Sequence, residues 1–337
     1  MEPTETYPLR FNTIYIEKPW GGRTLERFKG PLPDGQIGET WDVSAQPEGI
    51  SVVANGALAG LGLDEVVQRR GRALLGSVPE SQLFPLMVRH VSSREHLSVQ
   101  VHPTAAFATA VGQCFGKDEA WYVLDAEDDA FVYAGVSGIS DQEFRAAVHS
   151  GSVRDHLVKR KVRAGDCIYI PAGTIHAICK GVTLIEICEN SNTTYRVFDY
   201  GRDRGLDFEE TFANMDLEAH AEPRRGLIIS REGGRERVLC LAPTMGISEL
   251  SVDGRMTLET RGQSFHTLTC VDGAGVIEWG ADKNRQTIQR GESVLVPADL
   301  GEYCLAGVLT IVRSWVPDVG KESTVLLREV ALKPARS

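Results

Sequence analysis

Residues 97–103 read LSVQVHP. Leu97, Val99 and Val101 alternate with Ser98, Gln100 and His102, and this period of two predicts a strand with a hydroxyl, an amide and an imidazole along one face. A second pattern lies downstream: Gly165, five residues, Pro171, one residue, Gly173, two residues, His176. Its glycines and proline shape a turn between strands, so that His176 opens the next strand pointing inward. Between the two patterns, Glu119 opens the strand-like run AWYVLDA (120–126). Two imidazoles, one carboxylate and one amide oxygen form a mixed N/O set suited to a divalent transition metal such as zinc. A lone histidine on a strand is usually a buried side chain bonded to backbone. Here it is the company of Gln100, His102 and Glu119 that gives His176 a chemical reading.

Two cations extend the set. In TYRVFDYGR (194–202), Thr194, Arg196 and Phe198 share one strand face, and an inward arginine is costly unless it is paired or serves an anion. A phosphate or a developing oxyanion would satisfy it. Lys117, two residues before Glu119, is the other cation near the proposed metal, and a surface ion pair with Glu119 is its plain alternative. His90 and His96 flank strand ends without matching spacing and read as fillers. His149, His156 and His220 fall in helical or loop contexts and read as solvated.

The elements that must position these groups are short. ISVVANG (50–56), AWYVLDA (120–126), CIYIPAG (167–173), VTLIEIC (182–188) and ESVLVPA (292–298) are apolar alternations broken by Gly, Pro, Asp and Asn, which predicts many short strands. Residues 63–75 carry apolar side chains at helical spacing, and a capping-type Ser140 opens a second helix. The second motif repeats: GDCIYIPAGTIH (165–176) matches GESVLVPADLGE (291–302) at an offset of 126, since 291 − 165 and 302 − 176 are both 126. EAWYVLDA (119–126) likewise lies against HTLTCVDG (266–273), with Glu119 replaced by His266 and His176 by Glu302. The charge-rich stretch 217–236 is the expected linker between a catalytic part, 1–216, and a degenerate, structural copy, 237–337. The 337 residues and 42% apolar content suffice for a sizeable core. A net charge of −10 argues against nucleic acid or an anionic membrane as partner, and no apolar run approaches the roughly 20 residues of a membrane span. MEPTETYPLR at the N-terminus has no apolar signal core, and seven scattered cysteines read as reduced thiols, so a cytoplasmic location is expected.

The spacing G-x5-P-x-G-x2-H resembles the second motif of the cupin superfamily, with Lys180 in place of the usual closing Asn. PWGG (19–22), IGETWDVS (37–44), SVVANG (51–56), FPLMVRHV (84–91), LSVQVHP (97–103), GKDEAWYVLDA (116–126), IPAGTIHAI (170–178) and TYRVFDYGR (194–202) together resemble the type I phosphomannose isomerase family in its short bacterial form. The resemblance implies a mainly β fold of two cupin-type β-barrel (jelly-roll) halves with a few short helices inserted. It implies one zinc ion per chain held by Gln100, His102, Glu119 and His176, and a catalytic Arg196. Lys117 matches a pocket residue, either a proton carrier or a phosphate ligand, and Ser98 and Glu186 match substrate-binding positions. The implied reaction interconverts mannose 6-phosphate and fructose 6-phosphate through a metal-stabilised enediolate, with proton transfer between C1 and C2.

Some positions depart from the family pattern. Asn192 stands where an aspartate is usual, Cys188 and Glu189 stand where glutamines are common, and PTAAFA follows His102 in place of an acidic pair. An amide at 192 removes a carboxylate near the site and leaves a second reading open, a sugar-phosphate-binding regulator with weak or no catalysis. An iron-dependent cupin oxygenase is disfavoured, because Gln100 is a poor iron ligand.

Overall fold

The computed structural model describes residues 6–78 and 83–324; the start of MEPTETYPLR and the last stretch of the second half, 325–337, lie outside the described residues. The chain forms two compact units, one from Ile14–Trp41 and Met87–Arg224, the other from Met1–Thr13, Asp42–Leu86 and Arg225–Ser337. The fold is mainly β and cupin-type, with short helices between strands.

In the first unit a five-stranded sheet runs Leu157–Lys161, Phe131–Val136, His176–Ile178, Val99–Val101, Tyr195–Phe198. A six-stranded sheet runs Cys167–Ile170, Glu119–Ala126, Val182–Glu189, Leu86–Ser92, Ile37–Val43, Ile14–Gly22. Val132 and Ile178 of the first sheet bury with Trp121, Val123, Ile168, Ile170 and Leu184 of the second in one apolar cluster. Each fully buried aliphatic side chain of this kind contributes roughly 1.5–3 kcal/mol. The polar face of LSVQVHP therefore lies inside the unit and not on its surface. The helix Asp141–Ser150 starts where Ser140 and Glu143 form a capping box and stops at Gly151, whose φ of 78° only glycine adopts readily.

In the second unit the six strands Ser293–Val296, His266–Trp279, Glu302–Trp315, Gly246–Glu259, Gly234–Leu241 and Leu227–Arg231 follow one another in one sheet, with Leu9–Arg10 added beside Ser293–Val296. The stretch 217–236, read as a linker, thus contains a strand, because Ile229 of LIISR is buried while Ile228 faces outward. The strands correspond to those of the six-stranded sheet not only in order but in register. Glu119 faces Ile170 and, two residues on, Trp121 faces Glu186 across the other edge; His266 faces Val296 and, two residues on, Leu268 faces Arg313. The helical pattern of residues 63–75 is realised as Leu63–Arg70 and Arg72–Leu75, separated at Gly71 with φ of 44°.

Candidate metal centre

Three strands set one row of side chains. In the five-stranded sheet, Gln100 is the register partner of His176 on one side and of Arg196 on the other. Directly paired residues share a face, so the amide, the imidazole and the guanidinium line up across the sheet. His102 follows two residues after Gln100 and keeps the same side. Glu119 comes from the six-stranded sheet, where Glu186 lies two residues before its partner Cys188. The turn ahead of His176 needs Gly173: its φ is 88°, a Cβ there would lie 2.8 Å from the Asn214 carbonyl oxygen, and its amide donates to the His102 carbonyl.

The donors converge. His102 Nε2 lies 3.1 Å from Glu119 Oε2, and His176 Nε2 lies 3.2 Å from Glu119 Oε1. All three residues are buried, and their potential ligand atoms lie within 4.8 Å of one another. The histidines are held by their other nitrogens: His102 Nδ1 donates to the Thr193 carbonyl at 3.0 Å and His176 Nδ1 to the Thr174 carbonyl at 2.9 Å. With Nδ1 committed to a carbonyl, each ring turns its Nε2 toward the carboxylate. Burial first, and the Lys117 ammonium second, push the His102 imidazole down to about 3, so it stays neutral. Both Glu119 oxygens are buried without a hydrogen-bond donor. Burial alone would raise the Glu119 carboxyl, yet its cationic and imidazole neighbours hold it well below the usual range. Lone pairs facing lone pairs in a buried site are what a cation relieves, and the residues present fit a bound divalent metal. Gln100 stands beside them, with Nε2 3.3 Å from His176 Nε2 and Oε1 accepting from Ser98 Oγ at 3.1 Å. Rotating the amide by half a turn exchanges its oxygen and nitrogen.

Lys117 is fully buried, so the alternative of a surface pair with Glu119 gives way to an interior one. Its Nζ lies 3.2 Å from His102 Nε2, 3.5 Å from Glu119 and 3.9 Å from Glu186. Glu186 meets Arg89 at 2.6 Å, and Arg89 also reaches Glu39 at 3.2 Å. Burial, with Glu119 and Glu39 adding to it, keeps the Glu186 carboxyl above its ordinary range despite Arg89 and Lys117. Arg89 and Glu39 were not singled out from sequence. The available signal was a charged residue in the middle of an apolar run, MVRHV and GETWDV, where only a paired charge is tolerated. The Arg196 amide donates to Asp207 at 2.9 Å, while its Nε is buried without a partner. Asn192 lies in the connection to the Tyr195–Phe198 strand, next to Thr193, whose carbonyl holds His102. His90 is buried, His96 stacks on Tyr200 at 5.4 Å, and His149 and His220 are exposed.

The fold and this buried donor set define a cupin-type protein with a candidate metal centre. A model described as the catalytic domain of type I phosphomannose isomerase matches residues 9–136, and one described as the cupin domain of mannose-6-phosphate isomerase matches 246–316. A Streptococcus mutans protein named mannose-6-phosphate isomerase is 32% identical over 316 residues, covering 91% of this chain and 98% of its own. The Bacillus subtilis mannose-6-phosphate isomerase ManA is 31% identical over 90% of this chain and 96% of its own. A crystal structure of a mannose 6-phosphate isomerase from Bacillus subtilis superposes with a TM-score of 0.85 at 28% identity, covering 92% of this chain and 99% of that one. The chain belongs to the type I mannose-6-phosphate isomerase family, a family of isomerases.

Proposed function

We propose that this chain interconverts mannose 6-phosphate and fructose 6-phosphate, with a zinc ion held by Gln100, His102, Glu119 and His176. The observation that carries the reading is the facing of two imidazole Nε2 atoms, each ring held by its Nδ1 on a carbonyl, and a buried carboxylate that accepts no hydrogen bond, within a chain of this family. When bound, such an ion supplies Lewis acidity that lowers the pKa of a sugar hydroxyl and offsets negative charge on a neighbouring oxygen. Lys117 moves a proton at Nζ; its complete burial between His102, Glu119 and Glu186 favours this over binding a phosphate at the mouth of the site. A well-placed group of this kind contributes roughly 10²–10⁴-fold. Arg196, on the row of Gln100 with a spare N–H, steadies the enediolate that links the two sugars. Ser98 orients Gln100, and Glu186, held by Arg89, borders the substrate.

Turnover of mannose 6-phosphate, coupled to detection of fructose 6-phosphate, tests the proposal. Activity is expected to fall to background on chelation and to return with zinc, and metal analysis is expected to give one zinc per chain. Full activity in the double variant His102→Ala/His176→Ala would remove the metal from the mechanism. Tight, stereospecific binding of the sugar phosphate by the zinc-loaded protein without turnover would instead establish the regulator.

A further inference from the structure

The turn that delivers His176 is tied to the segments that carry the other two buried donors, His102 and Glu119. Its amides take partners in succession. Ala172 donates to Asp118 Oδ1 at 2.8 Å, and Gly173 donates to the His102 carbonyl at 3.2 Å. Thr174 closes the turn by donating to the Pro171 carbonyl at 3.1 Å, and its own carbonyl holds His176 Nδ1. Asp118 is the side chain in this arrangement. It stands between Lys117 and Glu119 in sequence, and strand alternation turns it to the face away from Glu119. Tyr169, the register partner of Ala120, lies on that same face and donates its hydroxyl to Asp118 Oδ2 at 2.6 Å. The backbone of Asp118 is held as well: its amide donates to the Glu189 carboxylate at 2.9 Å, and its carbonyl accepts from the Glu189 amide at 3.0 Å. Both carboxylate oxygens of Asp118 are thus engaged, and bonds to an ionised acceptor are roughly twice as strong as neutral ones.

The second unit supplies an internal comparison. Thr267 pairs with Leu295 as Ala120 pairs with Tyr169, so Phe265 and Leu295 stand where Asp118 and Tyr169 stand in the first unit. Both are fully buried, and Phe265 packs on Phe84 with ring centroids 4.3 Å apart. The same strand pairing therefore forms with apolar side chains at both positions. The polar brace is present in the unit that has the donor set, and absent from the unit in which His266 and Glu302 replace Glu119 and His176. Strand pairing alone does not call for it; holding two donors at a fixed separation does.

We infer that Asp118 is a positioning residue of the metal centre: by gripping Ala172 and Tyr169 it sets His176 against Glu119. The inference rests on the metal reading proposed above, and Asp118 acts through the turn without touching a reacting atom. The zinc affinity of the full-length apoprotein, measured by competition with a chromophoric chelator, tests it, with the visible spectrum of the cobalt-loaded protein as a second readout. Asp118→Ala is expected to bind zinc roughly tenfold or more weakly and to alter the cobalt bands, as loss of a group behind a ligand does. Asp118→Asn keeps an oxygen for the Ala172 amide and a polar group for the Tyr169 hydroxyl, and is expected to restore both readouts. Tyr169→Phe removes one of the two bonds and leaves the carboxylate; its affinity is expected to fall by roughly threefold, which decides the matter if Asp118→Ala fails to fold. A brace that serves stability alone would lower the melting temperature of Asp118→Ala and leave its zinc affinity and cobalt bands unchanged. That result, an Asp118→Asn protein as weak as Asp118→Ala, or wild-type affinity in Tyr169→Phe overturns the inference. The affinities decide it whether or not the zinc-loaded protein turns over mannose 6-phosphate, so failure of the proposed reaction is seen separately; a wild-type protein that takes up no zinc overturns both.

Discussion

Glu189 lies one residue beyond Cys188, the register partner of Glu119, and its carboxylate accepts from the Asp118 amide at 2.9 Å. Burial lifts that carboxyl from 4.5 to about 7. A raised carboxyl favours folding when protonated, so its contribution is complete below about pH 4.5 and is lost as the pH climbs through 7. Glu189→Gln keeps an acceptor and removes the charge. Its stability gain by urea unfolding is expected to be roughly 1–3 kcal/mol at pH 8 and close to zero at pH 4.5. Equal gains at both pH values would show that burial of the charge is not the cause. Arg89 behaves in the opposite way. Arg89→Ala leaves Glu186 and Glu39 buried without their shared counter-charge, and a loss of about 3–5 kcal/mol is expected in the same assay. At this scale the sequence was readable where a residue type announces its chemistry, as for His102, His176 and Glu119. Arg89 was less readable, because its partners Glu39 and Glu186 lie 50 and 97 residues away along the chain.

The row His176, Gln100, Arg196 exists because three strands meet in one register. Its outline was legible: alternation in LSVQVHP fixed the face, and the Gly-Pro turn fixed where His176 begins. The pairing itself was not, since nothing local specifies that Tyr195–Phe198 joins the edge of Val99–Val101. The segment leading to Glu119 depends on a close approach of backbone. Gly116 has no room for a side chain, because a Cβ would lie 2.7 Å from the Ala105 amide nitrogen, and the next residue, Lys117, donates its amide to the Pro103 carbonyl at 2.9 Å. Gly116→Ala is therefore expected to push Lys117 off His102 and Glu119. It should lower kcat at least tenfold while KM changes little, and a fall in KM alone would contradict this.

For the molecule as a whole, a metal bound by the folded chain and not by the unfolded one adds to its stability by mass action. At a thousandfold excess over the dissociation constant this is roughly 4 kcal/mol. Chelation is expected to lower the melting temperature by several degrees, an effect that His102→Ala/His176→Ala abolishes. A chelation shift of wild-type size in that variant would place the metal elsewhere. The internal repeat was visible as two short matches with different offsets, and the strand order and register give the reason: the same six-strand plan is used twice. What the sequence could not convey is that the compact units do not follow chain order, because Leu9–Arg10 completes a sheet made from the far end of the chain.

That pairing has a bearing on synthesis. Leu9 meets Leu295, 286 residues later, since 295 − 9 = 286. At about 5–20 residues per second a ribosome needs roughly 15–60 s to make that interval. His102, Lys117 and His176, which gather at Glu119, have all left the tunnel well before then. During translation the chain can assemble its candidate metal centre first, while its N-terminal strand waits on the nascent chain, unpaired, for a partner not yet made.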